Sequence, residues 1–402
     1  MSIALRVRQA LPPAPLYAAT ALLAALTACG GGGMGMAPAS TTTDVMGSGS
    51  MGSASVNMSC MGMSMDMSMS CPAPTIAVVA PPGTVNRTVM LHAQVTMMQG
   101  DGMARVDFMV DGTRVGTTSG ETFGVSWDST TVNDGAHTLT ATVSDSLGQT
   151  ASASPVTIEV DNHPVFTVAL SPAQIVPAPV SAGSGTARLS VDLGTGAVSG
   201  SVMLSGATAT AVTLNAAFAG DSGLSLMSFS PGAGGNAWQV PAGAQLTAEQ
   251  LTALLQGGLY LTASTAAHPG GELRGQITPT DVMVNFSVMS GAQEVPAVAI
   301  SAAGVVATTV DTVANTLTVH VHATGVDDAS AAGIDDGSAG STGPQLAALA
   351  KDDSDPGHWS TQLAAVSSAD IAAFKDGNWY VNVMTPADPQ GAIRGQIELT
   401  GQ

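Results

Sequence analysis

The sequence predicts an all-β chain in which three sandwich or barrel domains follow a disordered N-terminal tether. Short segments of alternating apolar and polar residues, separated by turn residues, run from about residue 75 to residue 399. The composition is typical of strands, because Ala, Thr, Val and Ser dominate, Gly numbers 47 and charged residues are only 10%. A length of 402 residues suggests about three domains.

The second half of the chain contains one segment twice. The clearest matching pairs, each 120 positions apart, are Tyr260 with Tyr380 and Arg274 with Arg394. Repetition at a fixed offset predicts two copies of one domain, residues 165–278 and 282–399. Each copy is predicted to be a mostly-β sandwich or barrel with one short helix. Thr247 and Gln250 have the spacing of a capping box, and residues 367–377 repeat that design.

Residues 1–28 indicate a lipoprotein signal peptide. Arg6 and Arg8 precede an apolar run that is too short to span a membrane. Leu-Thr-Ala-Cys at 26–29 resembles a bacterial lipobox, which predicts lipidation of Cys29 and attachment to the cell envelope. Gly30 after the cysteine favours the outer membrane by resemblance to known lipoproteins. An ordinary cleaved export signal is the alternative.

Residues 29–74 are predicted to be a lipidated, disordered tether, because Gly, Ser, Ala and Met cannot bury enough apolar surface to fold. Thioethers are soft ligands that select Cu(I) or Ag(I), so the densest methionines form a candidate metal site. These are Met58, Met61, Met63, Met65, Met67 and Met69. A plain spacer and a sacrificial pool of oxidisable sulfur are the alternatives. Cys60 and Cys71 are a candidate disulfide pair.

Residues 75–160 show the alternation of a first folded domain. Asp111-Gly112 lies between two apolar runs and predicts a hairpin. The run from Val106 through Trp127 to about residue 145 resembles bacterial immunoglobulin-like domains, which implies a sandwich whose core packs around Phe108 and Trp127. His92 and His137 lie on predicted strands without partner ligands nearby in sequence, so they are interpreted as surface or core histidines.

The two repeats carry motifs that are similar to the CHRD domain, named after chordin. The motifs are Gln-Glu-Val-Pro at 293–296, Gly-x-x-Tyr at 257–260 and 377–380, and Arg-Gly-Gln at 274–276 and 394–396. In animals, chordin-type proteins bind secreted growth factors. For bacterial members the resemblance implies secretion and a β-rich fold without an established activity. The signature residues, interpreted as structural, are Tyr260, Glu272, Arg274, Gln276, Glu294, Tyr380, Asn382, Arg394 and Gln396.

CHRD domains commonly carry a His-x-His pair in the central loop and another histidine after the Tyr-x-Asn-Val strand. The corresponding residues here are Thr213, Asn215 and Ser264 in repeat one and Gly333, Asp335 and Met384 in repeat two. The resemblance therefore predicts that any family metal site of this kind is lost.

Two features of repeat two are candidate replacements. His320 and His322 lie on one face of a predicted strand and could begin a metal site, although a solvated sheet face explains them as well. Aspartates in its loops could bind Ca²⁺, but their spacing matches no EF-hand and favours a solvated acidic surface. They are Asp327, Asp328, Asp335, Asp336, Asp352, Asp353 and Asp355.

Arg274 and Arg394 are candidate ligand anchors, but a structural role is favoured. In repeat one that role would be a bidentate ion pair with Glu272, two residues away on the same strand face. Repeat two has Ala392 at the carboxylate position.

The sequence predicts a non-catalytic envelope protein. It lacks a nucleophile elbow, a P-loop, a dinucleotide fingerprint and an evident carboxylate pair among Glu249, Glu272 and Glu294. The net charge of −19 with only ten basic residues argues against nucleic acid as a partner. The expected partners are a membrane through the lipid anchor and a protein or surface-polymer ligand. A copper- or silver-binding role of the tether is the alternative.

Overall fold

The computed structural model describes residues 73–97, 105–119, 122–363 and 365–398. The export signal, Cys29, the methionines at 58–69, Cys60 and Cys71 lie outside the described residues. The predictions made for them stay predictions.

The first domain is a sandwich of a three-stranded sheet, β1-β2-β5, and a five-stranded sheet, β4-β3-β6-β7, in which β8 also pairs with β6. Its strands are β1 (Thr75–Val79), β2 (Thr88–Thr96), β3 (Arg105–Val110), β4 (Thr113–Ser119), β5 (Gly124–Asp128), β6 (Gly135–Ser144), β7 (Thr150–Ser152) and β8 (Val156–Val160). Asp111 and Gly112, with φ of 49° and 75°, form the predicted hairpin turn between β3 and β4. Phe108 and Trp127 are buried in the core between the sheets, as predicted.

Repeat one has two sheets, with the orders β14-β15-β11-β10-β9 and β13-β12-β16-β17. Its elements are β9 (Val165–Leu170), β10 (Ser184–Val191), β11 (Val198–Ser205), β12 (Ala209–Ala216), β13 (Leu224–Ser228), β14 (Ser230–Pro231), β15 (Ala237–Gln239), α1 (Ala248–Leu255), β16 (Leu259–Thr265) and β17 (Leu273–Gln276).

Repeat two is a closed barrel with the order β18-β19-β20-β23-β22-β21-β24-β25. Its elements are β18 (Val282–Ser290), β19 (Ala303–Asp311), β20 (Thr316–Thr324), β21 (Ala331–Asp336), β22 (Gln345–Lys351), β23 (His358–Leu363), α2 (Ser368–Lys375), β24 (Trp379–Met384) and β25 (Ile393–Ile397).

The two repeats share one strand order and differ in closure. In each, the first and last strands meet where a serine pairs with the signature arginine, Ser171 with Arg274 and Ser290 with Arg394. Ladder pairs between β22 and β23 close repeat two on the other side, at Ala350–Ser360 and Lys351–Trp359. Within the described residues, β13 and β15 of repeat one form no such ladder. The prediction of two mostly-β sandwiches or barrels is therefore confirmed.

Both predicted helices form behind capping boxes. The Thr247 hydroxyl accepts a hydrogen bond from the Gln250 amide, and Ser367 does the same with Asp370. Each helix inserts two apolar side chains into the core of its own repeat, Leu251 and Leu254 from α1 and Ile371 and Phe374 from α2. None of the helices in the described part of the chain is long and apolar enough to cross a membrane.

Candidate functional site

A buried arginine lies at the same place in each repeat. The guanidinium of Arg394 stacks on the Tyr380 ring, 3.5 Å from its centroid, and that of Arg274 stacks on Tyr260 at 3.6 Å. Strand pairing places the groups side by side, because Tyr380 lies opposite Gln396 and Asn382 opposite Arg394. The tyrosine, arginine and glutamine therefore project from one face of the last two strands.

The arginine holds the central loop of its repeat. In repeat two, Arg394 donates hydrogen bonds to the carbonyl oxygens of Ser341 at 2.5 Å and Ser338 at 3.0 Å, and to Gln396 Oε1 at 2.6 Å. In repeat one, Arg274 donates to the carbonyl oxygens of Asp221 and Phe218 and to Gln276 Oε1. Burial lowers the pKa of Arg274 to about 10, so this side chain stays charged at neutral pH.

The signature glutamine and tyrosine also make hydrogen bonds to the backbone of their own repeat. Gln276 Nε2 donates to the carbonyl oxygens of Ala217 and Gly257, at 2.9 and 2.7 Å. Gln396 makes the matching bonds to Gly337 and Gly377, both at 2.9 Å. The Tyr260 and Tyr380 hydroxyls accept hydrogen bonds from the backbone amides of Gly223 and Gly343. These contacts are internal to each repeat and join its central loop, helix end and last strand.

The expected ion pair between Arg274 and Glu272 is wrong. Glu272 instead accepts hydrogen bonds from Ser181 Oγ at 2.6 Å and Thr265 Oγ1 at 2.5 Å, and these bonds lower the pKa of its carboxyl. The expectation assumed a strand through both residues, on which positions two apart share a face. Glu272 lies before β17, which begins at Leu273, so strand periodicity does not apply to it.

Repeat two has a second buried polar group beside Arg394. Glu294 follows the single 3-10 turn Gly291–Gln293, Asp335 lies on β21 and Asn382 lies on β24. All three side chains are buried, with exposed fractions of 8% for Glu294 and 7% for each of the other two. A Cβ placed on Gly391 would lie 2.5 Å from both Glu294 Oε2 and Asn382 Oδ1, so the two oxygens converge on one space. We call these three residues the acceptor pocket.

Burial is the main electrostatic influence on the acceptor pocket. It raises the pKa of Glu294 to about 7 and that of Asp335 to about 6. The nearby charge of Arg394 opposes both shifts, while Asp335 and Asp388 add to the shift of Glu294. The charge of Asp335 thus acts on Glu294 although the two residues are distant in sequence, a proximity that the sequence did not indicate.

The equivalent place in repeat one is filled differently. Ile175 follows the matching 3-10 turn and so corresponds to Glu294. Asn215 corresponds to Asp335, because each lies opposite the signature tyrosine of its repeat. Thr262 corresponds to Asn382, because each lies opposite the signature arginine. A Cβ on Gly271 would meet methyl carbons, at 2.9 Å from Thr262 and 3.3 Å from Ile175. The Asn215 amide donates to Thr213 and Thr262. The acceptor pocket is thus a property of repeat two.

Comparison with family models assigns both repeats. The model described as CHRD domain matches residues 166–277 and 286–397, together more than half of the 402 residues. The chain belongs to the CHRD-domain family. The model described as bacterial Ig domain matches residues 74–141, so the first domain is immunoglobulin-like, as predicted.

Two solved structures are similar to parts of the chain. The fibronectin(III)-like modules of Clostridium thermocellum CbhA match at 20% identity over 21% of this chain and 93% of that one, with a TM-score of 0.18. Extracellular domains 3–5 of Drosophila OTK match at 12% identity over 81% and 97%, also with a TM-score of 0.18. No curated protein matches the chain.

A row of three histidines lies on the barrel of CHRD repeat two. His320 Nδ1 lies 3.0 Å from His358 Nε2, and the His358 ring also stacks on His322 with centroids 4.5 Å apart. The hydrogen bond from His322 Nε2 to the carbonyl oxygen of Gly220, at 2.7 Å, joins this row to CHRD repeat one. The sequence paired His320 with His322 but missed His358, which the neighbouring strand β23 places beside them.

The interpretation of this strand face as solvated is wrong. His320 is 9% exposed and Thr318 is 7% exposed. A loop of CHRD repeat one covers the face, since a Cβ on Gly220 would lie 2.8 Å from the His320 Cβ and 2.7 Å from that of Ala307. Among the described residues, no group of three or more His, Cys, Asp or Glu side chains is arranged to hold a metal ion.

The other predicted residues are dispersed. Asp327, Asp328, Asp353 and Asp355 are exposed, as a solvated acidic surface requires. Asp336 and Asp352 are half-buried, and Asp335 is buried on barrel strand β21. In the immunoglobulin-like domain, His92 is exposed. His137 binds Asp111 Oδ2 at 2.6 Å and the Asn133 carbonyl oxygen at 2.7 Å, which fixes it between two turns.

Proposed function

We propose that the chain is a non-catalytic, lipid-anchored protein of the cell envelope that presents its immunoglobulin-like domain and two CHRD repeats for binding or structural roles. Its described part consists of β-rich domains of an extracellular type. The observation that carries the proposal is that the signature arginines make their hydrogen bonds within their own repeat. Arg274 and Arg394 direct their donors at their own loops, so these side chains hold a scaffold together.

The lipid anchor is tested by Cys29→Ser. We expect the natural chain, expressed with its signal in a bacterial host, to incorporate radiolabelled palmitate and to sediment with membranes. The variant should lose the label and move to the soluble fraction, because a serine oxygen cannot replace the thioether to which the lipid is attached. Equal partition of both chains, without label, would refute anchoring and leave an ordinary export signal.

The partner in this proposal is a protein or a surface polymer. Its presence is tested by affinity capture with the full chain and with a chain that lacks residues 30–74. A partner of the folded domains should be captured by both. A partner captured only by the full chain would belong to the tether.

Copper or silver binding by the tether is the second candidate function. It rests on the alternating methionines at 58–69, whose thioethers carry no proton and keep their ligand strength at low pH. We expect a competitive titration of Cu(I) against a chelator to show submicromolar binding that disappears when residues 58–71 are deleted. Absence of binding by the full chain would exclude this role and leave the tether as a spacer.

A further inference from the structure

We propose that CHRD repeat two binds a divalent cation at the acceptor pocket, through oxygen atoms of Glu294, Asp335 and Asn382. The site uses none of the methionines of the predicted tether and is specific to the second repeat. It adds a hard-cation ligand to the envelope role proposed above and does not depend on the lipid anchor.

The first observation is that the pocket contains acceptors without donors. Glu294 Oε1, Asp335 Oδ2 and Asn382 Oδ1 are buried and have no hydrogen-bond partner. Asn382 cannot turn its amide nitrogen toward them without losing the bond from Nδ2 to the Gln390 carbonyl oxygen, at 2.9 Å. A buried acceptor without a partner is costly, so these three oxygens need either a hydrogen-bond donor or a cation among them.

Arg394 does not supply the missing donors. Its two terminal nitrogens donate to Ser341, Ser338 and Gln396, and its plane lies against the Tyr380 ring. Its charge offsets one of the two carboxylates at a distance. One negative charge therefore remains when Glu294 and Asp335 are both ionised, which favours a cation over an anion in this space.

The chemistry of the donor set selects the class of cation. Two carboxylates and an amide oxygen are hard ligands of the kind that bind Ca²⁺, Mg²⁺ and Mn²⁺, whereas Cu(I) and Ag(I) prefer sulfur. The three residues come from a turn and two paired barrel strands. The register of β21 and β24 sets Asp335 and Asn382 on one face, and the charge of Asp335 acts on Glu294. The competing occupant is a proton shared among the same oxygens.

CHRD repeat one provides a natural comparison. At the three matching positions it has Ile175, Asn215 and Thr262, and in this pocket methyl groups replace the converging oxygens. The same barrel frame therefore exists without the ligands. The double variant Glu294→Ile/Asp335→Asn carries the side chains of repeat one at two of these three positions and is expected to fold.

The test is a titration of the full chain, stripped with a chelator and held near pH 8. Mn²⁺ is followed by electron paramagnetic resonance, and Ca²⁺ and Mg²⁺ by calorimetry. We expect one saturable site per chain for at least one of these ions. Glu294→Gln and Asp335→Asn should each raise the dissociation constant by about 100-fold or more, since loss of even an outer-shell partner costs roughly 10–100-fold. The double variant should lose the site.

Glu272→Gln is the matched control. It alters a buried carboxylate of repeat one that already has two hydroxyl donors, so it should leave cation binding unchanged. Circular dichroism and thermal melts confirm that each variant is folded. Failure of all three ions to bind up to about 10⁻³ M, the weak end of extracellular calcium sites, would overturn the proposal and leave a protonated carboxyl as the donor in the pocket. Binding that survives in the double variant would also overturn it, because the exposed acidic loops would then be the site.

Discussion

Arg394→Met is expected to destabilise CHRD repeat two by about 3–5 kcal/mol, the cost of removing one member of a buried charged network. Methionine fills part of the volume beside Tyr380 but donates nothing. The carbonyl oxygens of Ser338 and Ser341 and the Gln396 side chain lose their donors. Each buried acceptor left unpaired costs about 1–3 kcal/mol. Glu294 and Asp335 also lose the positive charge that opposes their burial.

Hydrogen exchange followed by mass spectrometry measures this loss locally. We expect faster exchange in residues 331–351, which include the loop that Arg394 holds. Arg274→Met should have the same effect on residues 209–228 of CHRD repeat one. Arg188→Met, on the exposed side of β10, is the control and should change stability by no more than about 0.5 kcal/mol. Full protection in Arg394→Lys would contradict the forked contact, because an ammonium cannot reproduce that geometry.

The contribution of His320 to the free energy of unfolding is expected to decrease as the pH falls, because His320 is buried in its neutral form. Burial lowers the pKa of His320 to about 4, and the neighbouring His358 and His322 add to that shift. The unfolded chain, with an ordinary histidine pKa near 6.5, binds more protons than the folded chain between about pH 6.5 and pH 4. The stabilisation associated with the neutral ring is therefore complete above about pH 6.5 and is lost as the pH falls toward 4. The loss is about 2–3 kcal/mol.

The charged and titratable groups near His320 also influence its pKa. Asp221 and Arg274 of CHRD repeat one act on it with opposite signs, and Asp352 lies 3.3 Å from His358 Nδ1. The pKa of His322 is also lowered, mainly by burial, although its bond to Gly220 and the nearby Asp355 oppose the shift. Protonation of this row would place like charges between stacked rings at the contact with CHRD repeat one.

The measurement is the free energy of unfolding of the natural chain and of His320→Gln at about pH 7.5 and about pH 4.5. Glu294 and Asp335 have raised pKa values, so they contribute an opposite slope and the natural curve alone is not diagnostic. The difference between the two chains isolates His320 and should favour the variant by about 2–3 kcal/mol more at the lower pH. His163→Gln is the control for an exposed histidine, whose pKa is raised by Asp134. An unchanged difference between the two pH values would refute the assignment.

The acceptor pocket shows where inference from sequence ends. Glu294 was identified as part of a family motif and Asp335 as one of several loop acids, and nothing local connects them. They meet because β21 pairs with β24 in a register that sets Asp335 opposite Tyr380, while the turn before Glu294 packs against the last strand. His358 joins His320 and His322 for the same kind of reason, since β23 pairs with β20.

Features with local causes could be predicted from the amino-acid sequence alone. Side-chain alternation specified strands, the Asp111-Gly112 pair specified a hairpin, hydroxyl-to-amide spacing specified both helix starts, and self-similarity specified the duplication. The polar groups that share a buried space became apparent only from the fold: Arg394 with loop carbonyls, Glu272 with two hydroxyls, Glu294 with Asp335. The physical reason is that strand register and loop packing bring together residues that are distant in the chain, and the burial this produces sets their pKa values and their need for partners.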